Sequence, residues 1–201
     1  MRQALASIPP GDSLRRSELA CQRLARTPAF QQAETVMLYM PIRHELDVRP
    51  LSRLALEAGK VVLLPRVRRD RVHMDAAAVT SIDDGQLAAG AFGILEPLEA
   101  PAFPPAEIEL VIVPALAFSR DGSRLGRGGG FYDRFLGAGA FEAVTCGVAY
   151  HEQLLDDLPR EAHDRRVDAV VTDRESVEAH CVIPATAAEP LPPPRRSDKE
   201  I

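Results

Sequence analysis

The stretch LVIVPALAFSRDGSRLGRGGGFYDRFL, Leu110 to Leu136, decides the fold. Leu110 to Val113 is a continuous apolar run of the kind found in a strand covered on both faces, and it predicts a central strand over IELVIVPALAF, Ile108 to Phe118. The end of the stretch predicts a helix from about Gly130 to Leu136. Between the two, Gly128, Gly129 and Gly130 follow each other directly, with Arg127 before them and an aromatic pair after. A strand that leaves through a flexible loop into a helix is a unit of an α/β sheet, and in such sheets ligands collect outside the carboxyl ends of the strands.

Working outward, Ser13 to Arg26 carries Leu14, Leu19, Leu24 and Ala25 among arginines, which predicts an amphipathic helix ended before Pro28. TVMLYM, from Thr35, reads as a buried strand. Asp47 then caps a helix that runs through Glu57 and is closed by Gly59, and KVVLLP, from Lys60, is the next strand. RVHMDAAAV, from Arg71, reads as a further strand, and Ser81 to Pro105 reads as loop with short turns. AVTCGVAY, from Ala143, and VDAVVT, from Val167, supply two more strands. The expected fold is therefore α/β, a single three-layer domain with a mostly parallel sheet, spanning residues 1–184. Residues 185–201 include PLPPPRRSDKE and are expected to form a Pro-rich, disordered tail. No internal repeat is present.

Composition narrows the function classes. With 46% hydrophobic and 26% charged residues over 201 positions, the chain has the make-up of a globular domain large enough to bury a core. A net charge of −5 argues against a general nucleic-acid binder, so any basic site must be local. Cys21, Cys146 and Cys181 form no CxxC pair, which points to buried thiols in a reducing compartment rather than to a disulfide framework or a zinc site. No apolar run approaches the roughly 18 residues of a membrane span, and a cytoplasmic protein without a membrane partner is expected.

The glycine loop suits an anion. Glycines let backbone N–H groups turn towards phosphate, a helix N-terminus adds unpaired donors, and Arg124 and Arg127 supply full charges, with the planar fork of Arg127 matched to phosphate oxygens. Asp133 does not suit phosphate by itself; a carboxylate there calls for an intervening cation and is a candidate Mg²⁺ ligand. The same residues also fit a surface turn with solvated arginines, with Asp133 as a first-turn helix acid and Phe131 and Phe135 as a core stripe. Two standard nucleotide motifs are absent. A P-loop needs G-K-[ST], whereas these glycines run into Phe131 and Tyr132, and Gly126, Gly128 and Gly129 do not meet G-x-G-x-x-G. RGGGF also has the look of an RNA-binding RGG segment, but as one copy in an apolar context.

The whole opening stretch resembles the signature of the 5-formyltetrahydrofolate cyclo-ligase family, also called methenyltetrahydrofolate synthetases. LYMPIRHELDV, GKVVLLPRV, VHMD, FGILEP, GVAYHEQL and LPREAHDRRVDAVVTD resemble further family segments in the family's order, together covering most of residues 30–173. The resemblance implies an ATP- and Mg²⁺-dependent ring closure of 5-formyltetrahydrofolate to 5,10-methenyltetrahydrofolate, with release of ADP and phosphate. The formyl oxygen is a very poor leaving group, so it would first be phosphorylated; N10 then attacks the formyl carbon and phosphate departs. By motif, Arg124, Leu125, Gly126, Arg127, Gly128, Gly129, Gly130, Phe131 and Tyr132 would form the ATP loop, with Arg127 catalytic and Arg127 to Phe131 also against the folate. Asp133 and Asp164 would hold Mg²⁺. Met40 and Glu45 would contact the folate, Glu45 accepting hydrogen bonds from pterin N–H groups. The implied partners are the small molecules 5-formyltetrahydrofolate and ATP, handled by a monomer, with no nucleic acid.

Each of these residues has a plainer reading: Asp164 in a polar turn before a strand, Glu45 as an acid at a helix entry, Met40 in the core. The five histidines, His44, His73, His151, His163 and His180, show no metal-ligand spacing and receive no role. RVRRDR, Arg66 to Arg71, fits either an anion-attracting patch or a solvated hairpin. The family's first helix usually carries a basic K-x-x-L-R segment; this chain opens at MRQALASIPP, downstream of it, which leaves three readings open, a misassigned start, a truncated chain or Arg2 as an imperfect substitute, and with them the strength of ATP binding. Ser119 stands where aspartate is usual and Ala115 where glycine is usual; Gly129 occupies a lysine-or-glycine position. Two alternatives follow: a folate- or nucleotide-binding protein of the same fold with impaired turnover, and a sugar-phosphate isomerase or CoA-transferase-like enzyme that needs no ATP.

Overall fold

The computed structural model describes residues 1–179 apart from Arg69, Arg71, Asp84, Glu99, Gly139, Ala140 and Ala162. The expected tail, with the domain boundary before it, His180, Cys181 and two arginines of RVRRDR therefore lie outside the described residues. Five helices are described, α1 (Arg2–Ala6), α2 (Pro10–Ala25), α3 (Pro28–Gln32), α4 (Arg49–Glu57) and α5 (Phe131–Leu136). The strands are β1 (Thr35–Met37), β2 (Val61–Val67), β3 (Met74–Val79), β4 (Leu87–Ala89), β5 (Leu95–Pro97), β6 (Ala102–Phe103), β7 (Leu110–Val113), β8 (Ala117–Ser119), β9 (Arg124–Leu125), β10 (Val144–Ala149), β11 (Leu154–Leu155), β12 (Ala169–Thr172) and β13 (Ser176–Glu178).

Eight strands form one sheet in the order β13-β12-β10-β7-β1-β2-β3-β6. The inner run from β12 to β2 is parallel throughout, and the antiparallel strands sit at the two margins. Alternate residues of the parallel strands serve two separate cores, as a period of two requires. Val36, Val62, Leu110, Ile112 and Val148 point to the face covered by α2, α3 and α4. Met37, Leu63, Val111, Val113 and Val170 point to the other, where Phe118, Phe135 and Leu136 meet them. The expected three layers are present, but the second face is covered unequally. A three-stranded ribbon, β11-β8-β9, and the short α5 lie there in place of full-length helices.

Several elements differ from the sequence expectation in ways the packing explains. The apolar run Ile108 to Phe118 is two strands: β7 stops before Pro114, which has no N–H for a ladder, and the chain re-enters pairing only at Ala117, in the ribbon. In α2 the buried side is Arg16, Ser17, Ala20, Cys21 and Leu24, whereas Leu14 and Leu19 face outward. Arg16 is buried because its Nε and Nη2 donate to Asp173 at 2.8 and 3.2 Å, its Nη2 also meets Glu152, and its guanidinium lies 5.0 Å from the centre of the Tyr150 ring. Asp47 acts one position outside the expected cap; its Oδ1 accepts from the Arg49 N–H at 2.9 Å while Val48 occupies the cap. Gly59, with φ of 75°, ends α4 as expected. The loop expected from Ser81 to Pro105 contains the hairpin β4-β5 and the edge strand β6. Cys21 and Cys146 are buried free thiols, each pushed up to about 12 chiefly by burial.

Phe118 holds the ribbon to the sheet by lying over Gly147 in β10, where an added Cβ would stand 2.4 Å from the ring. Gly147→Ala is therefore expected to destabilise the protein by about 1–3 kcal/mol through overpacking. The measurement is the urea midpoint, with an unchanged midpoint contradicting the close approach.

Candidate functional site

The parallel strands β1, β2 and β7 end on the same side, and the segments that leave them wall a cavity of about 780 Å³. Tyr39 and Met40 come from the end of β1, Pro65 and Val67 from β2, and Pro114 and Ala115 from β7. The cavity is the carboxyl-end crevice that an α/β sheet offers to ligands. Every residue singled out from the sequence lines it: Met40, Glu45, all of Arg124 to Tyr132, Asp133 and Asp164.

The glycine loop closes on itself at its base. Arg124, on β9, donates from Nη2 to Asp133 Oδ1 on α5 at 2.6 Å, with side-chain exposures of 4% and 19%. Burial pushes the Arg124 guanidinium down from its ordinary value, and Asp133 opposes that shift. Gly128 and Gly130 take φ of 91° and 62°, the left-handed region in which a side chain would strain the backbone. Arg134 then clamps the loop from behind, donating from Nη2 to the Gly129 carbonyl at 2.7 Å and from Nε to the Val72 carbonyl at 2.9 Å. The sequence reading missed Arg134; its position four residues after Gly130, at the start of the helix, was the available signal. Helix α5 is only six residues long and so carries little macrodipole.

Across the cavity, Glu45 meets Arg127, whose Nε donates to Oε1 at 3.0 Å, while Oε2 accepts from the Ile42 N–H at 3.1 Å. The Glu45 side chain is 8% exposed, and burial raises its carboxyl above the usual range although the Ile42 amide and Arg127 lower it. Asp133 Oδ1 also accepts from the Arg165 N–H at 3.1 Å, and Asp164 Oδ2 accepts from the Glu161 N–H at 2.7 Å. The remaining oxygens, Asp133 Oδ2 and Asp164 Oδ1, are outside these hydrogen bonds. Asp133 and Asp164 thus line the cavity beside the glycine loop, and one or two carboxylates are what a protein commonly offers Mg²⁺ when substrate phosphates complete its shell. No cluster of three or more metal-ligating side chains occurs among the described residues.

Phe135 is in the core, whereas Phe131 lines the cavity and packs edge-on against Phe92 with ring centres 6.0 Å apart. Phe92 has φ of 60° and is 73% exposed at the rim; it opens the FGILEP segment, to which the sequence reading gave no site role. His163 lies at the edge of the cavity, 3.9 Å from Asp164. Of the RVRRDR patch, Arg66 is paired with Asp75 at 3.1 Å, which removes it as a free cation.

The model of the 5-formyltetrahydrofolate cyclo-ligase family matches residues 1–173. The chain belongs to this family. A cyclo-ligase of Mycolicibacterium smegmatis is 38% identical over 150 residues, covering 72% of this chain and 76% of that protein. A cyclo-ligase of Escherichia coli K12 is 31% identical over 175 residues, covering 86% and 96%. Among solved structures, the 5,10-methenyltetrahydrofolate synthetase of Aquifex aeolicus superposes with a TM-score of 0.78 at 34% identity, covering 88% of each chain. Membership of the cyclo-ligase family makes this protein a ligase of one-carbon metabolism and a nucleotide-using enzyme that acts on small molecules. No described helix is long and apolar enough to cross a membrane.

The state of Glu45 in this cyclo-ligase site generates a pH prediction. A carboxyl whose folded value is raised costs stability once ionised; the cost is absent below the ordinary glutamate range near 4.3 and grows as pH rises through the folded value. Glu45→Gln keeps the acceptor for Ile42 and removes the charge. Its thermal midpoint should match the parent at pH 4 and equal or exceed it at pH 7.5; a lower midpoint at pH 7.5 would contradict the assignment.

Proposed function

We propose that this chain closes 5-formyltetrahydrofolate to 5,10-methenyltetrahydrofolate with ATP as phosphoryl donor and Mg²⁺ as counter-ion, in the cavity at the carboxyl ends of β1, β2 and β7. The observation that carries this reading is the 3.0 Å contact between Arg127 and Glu45. It sets a buried carboxylate, of the kind to which pterin N–H groups would donate, beside an arginine of the glycine loop, which supports a site shared by folate and nucleotide.

The roles follow from the chemistry of each group. Glu45 accepts from the pterin N–H groups, and Met40 with Phe131 covers the ring system. The Gly126 to Gly130 amides and Arg127 hold the phosphates, and Arg124 contributes positive charge from beneath. Asp133 and Asp164 would hold Mg²⁺, which supplies charge neutralisation between carboxylates and phosphates when bound. With the phosphoryl group so placed, the formyl oxygen attacks phosphorus and ADP leaves. N10 then attacks the formyl carbon and phosphate departs. Phosphoryl transfer asks a protein mainly for positioning and charge stabilisation, and these side chains are of the types that supply both. The two buried thiols support a reducing, cytoplasmic setting.

The direct test is the absorbance of methenyltetrahydrofolate with and without ATP and Mg²⁺. ATP-dependent product is expected; none from folded protein would favour the reading as a binding protein, and product without ATP would overturn the phosphoryl step. Arg127→Ala should lower turnover about a hundredfold, the loss typical of one charge-stabilising donor, and a rate near the parent's would take Arg127 out of the chemistry. Asp133→Asn should shift the Mg²⁺ titration to higher concentration, whereas an unchanged titration would contradict its place as a metal ligand.

A further inference from the structure

Among the described residues of RVRRDR, the acidic one is the residue whose contacts lead to the site. Asp70 Oδ1 accepts from the N–H groups of Val72 and His73 at 2.9 and 3.0 Å, and Asp70 Oδ2 lies 2.8 Å from His73 Nδ1. The Arg68 N–H donates to the His73 carbonyl at 2.8 Å and closes the turn between β2 and β3. Asp70 itself is exposed and outside the residues that line the cavity.

A peptide unit is planar and trans, so its carbonyl and its N–H point opposite ways. The Val72 carbonyl shares a unit with the His73 N–H, and by holding that N–H Asp70 fixes the direction of the carbonyl. Arg134 Nε donates to this carbonyl at 2.9 Å, across 62 positions of chain, and Arg134 Nη2 donates to the Gly129 carbonyl at 2.7 Å. The Gly129 carbonyl shares its unit with the Gly130 N–H, so the guanidinium fixes which way that peptide of the loop faces. Its seat is narrow. The guanidinium carbon lies 5.2 Å from the centre of the Phe131 ring, and a Cβ on Gly130 would stand 2.7 Å from Nη1. A turn-forming aspartate accounts for the hairpin alone; it does not account for an arginine of α5 that reaches the same peptide.

We propose that Asp70 and Arg134 are positioning residues for the nucleotide: the carboxylate orients the Val72–His73 peptide, that peptide orients the guanidinium, and the guanidinium holds the Gly129–Gly130 peptide in the form that receives phosphate. This deepens the function proposed above and rests on it. Both residues lie outside the cavity lining and act through the loop. Hydrogen-bonded groups in series polarise one another, so the chain works as a unit and breaking it at the far end loosens the loop. A glycine loop needs such a brace. Glycine loses more conformational freedom on ordering than any other residue, and without the brace nucleotide binding would have to supply that ordering. The sign of the effect separates this role from simple electrostatics. Removing a carboxylate in the neighbourhood of a polyanion favours binding through charge, whereas here removing Asp70 weakens it.

The test is the dissociation constant of a non-hydrolysable ATP analogue with Mg²⁺, measured by calorimetry on the full chain, beside KM for 5-formyltetrahydrofolate. Arg134→Met is expected to weaken nucleotide binding about tenfold and Asp70→Ala about fivefold, with KM for the folate within about twofold of the parent. Asp70→Asn keeps the acceptor for both N–H groups and should bind the analogue within about twofold of the parent. The double variant should bind no more weakly than Arg134→Met, since the two residues act through one chain. Binding by Asp70→Ala equal to or tighter than the parent's overturns the proposal. So do losses that multiply in the double variant, and so does an Asp70→Asn protein as weak as Asp70→Ala. If Arg134→Met does not fold, the comparison of Asp70→Ala with Asp70→Asn decides, because both changes lie on an exposed turn. If the parent binds the analogue and Asp70→Ala matches it, this inference alone falls. If the parent does not bind it, the inference falls together with the function it rests on.

Discussion

Burying a guanidinium is unfavourable unless an anion goes with it, and that constraint shapes the site. Arg124 is placed under the cavity by β9, and Asp133, on the first turn of α5, is its only charged partner in hydrogen-bond contact among the described residues. Because the two are nine residues apart, their contact pulls the intervening chain into a closed loop. The loop can close this tightly because it is mostly glycine. The pair also decides which carboxylate oxygen of Asp133 is occupied, so that the proposed cation would meet the other. Losing either partner would leave the other charge buried without compensation, a much larger penalty than losing a surface ion pair.

The two faces of the sheet are covered differently. On one side α2 and α4 bring amphipathic faces against alternate residues of β1, β2, β7 and β10. On the other, the ribbon and the short α5 reach only part of the sheet, with Phe118 seated on Gly147. Arg134 braces the glycine loop from the helix side, through the carbonyls of Gly129 and Val72.

Much of the fold was legible because local rules governed it. The runs at Thr35, Val61, Leu110, Val144 and Ala169 have the composition of doubly covered strands, and all became strands of one sheet. The reading failed where two elements share one apolar run, as at Pro114, where the missing N–H of proline outweighs hydrophobicity. It failed again on α2, where apolarity pointed to Leu14 and Leu19 but the buried face includes Arg16, made tolerable only by Asp173, Glu152 and Tyr150. Residues at Ser81 to Pro105 looked irregular because strands as short as β4 to β6 leave almost no periodic signal. The candidate site residues were legible as a set through their resemblance to a family, and the structure places all of them around one cavity.

By itself the sequence determined the strands, the conformational freedom of Gly128 to Gly130 and the kinds of charge at the site, because these depend on residue type and near neighbours. Only the tertiary structure decided who meets whom. Glu45 faces Arg127 across 82 positions of chain, Arg134 reaches the carbonyl of Val72, and Arg16 meets Asp173 across 157. Such contacts follow from the order in which strands lie side by side, and that order is set by burying two core faces at once, which no local pattern records.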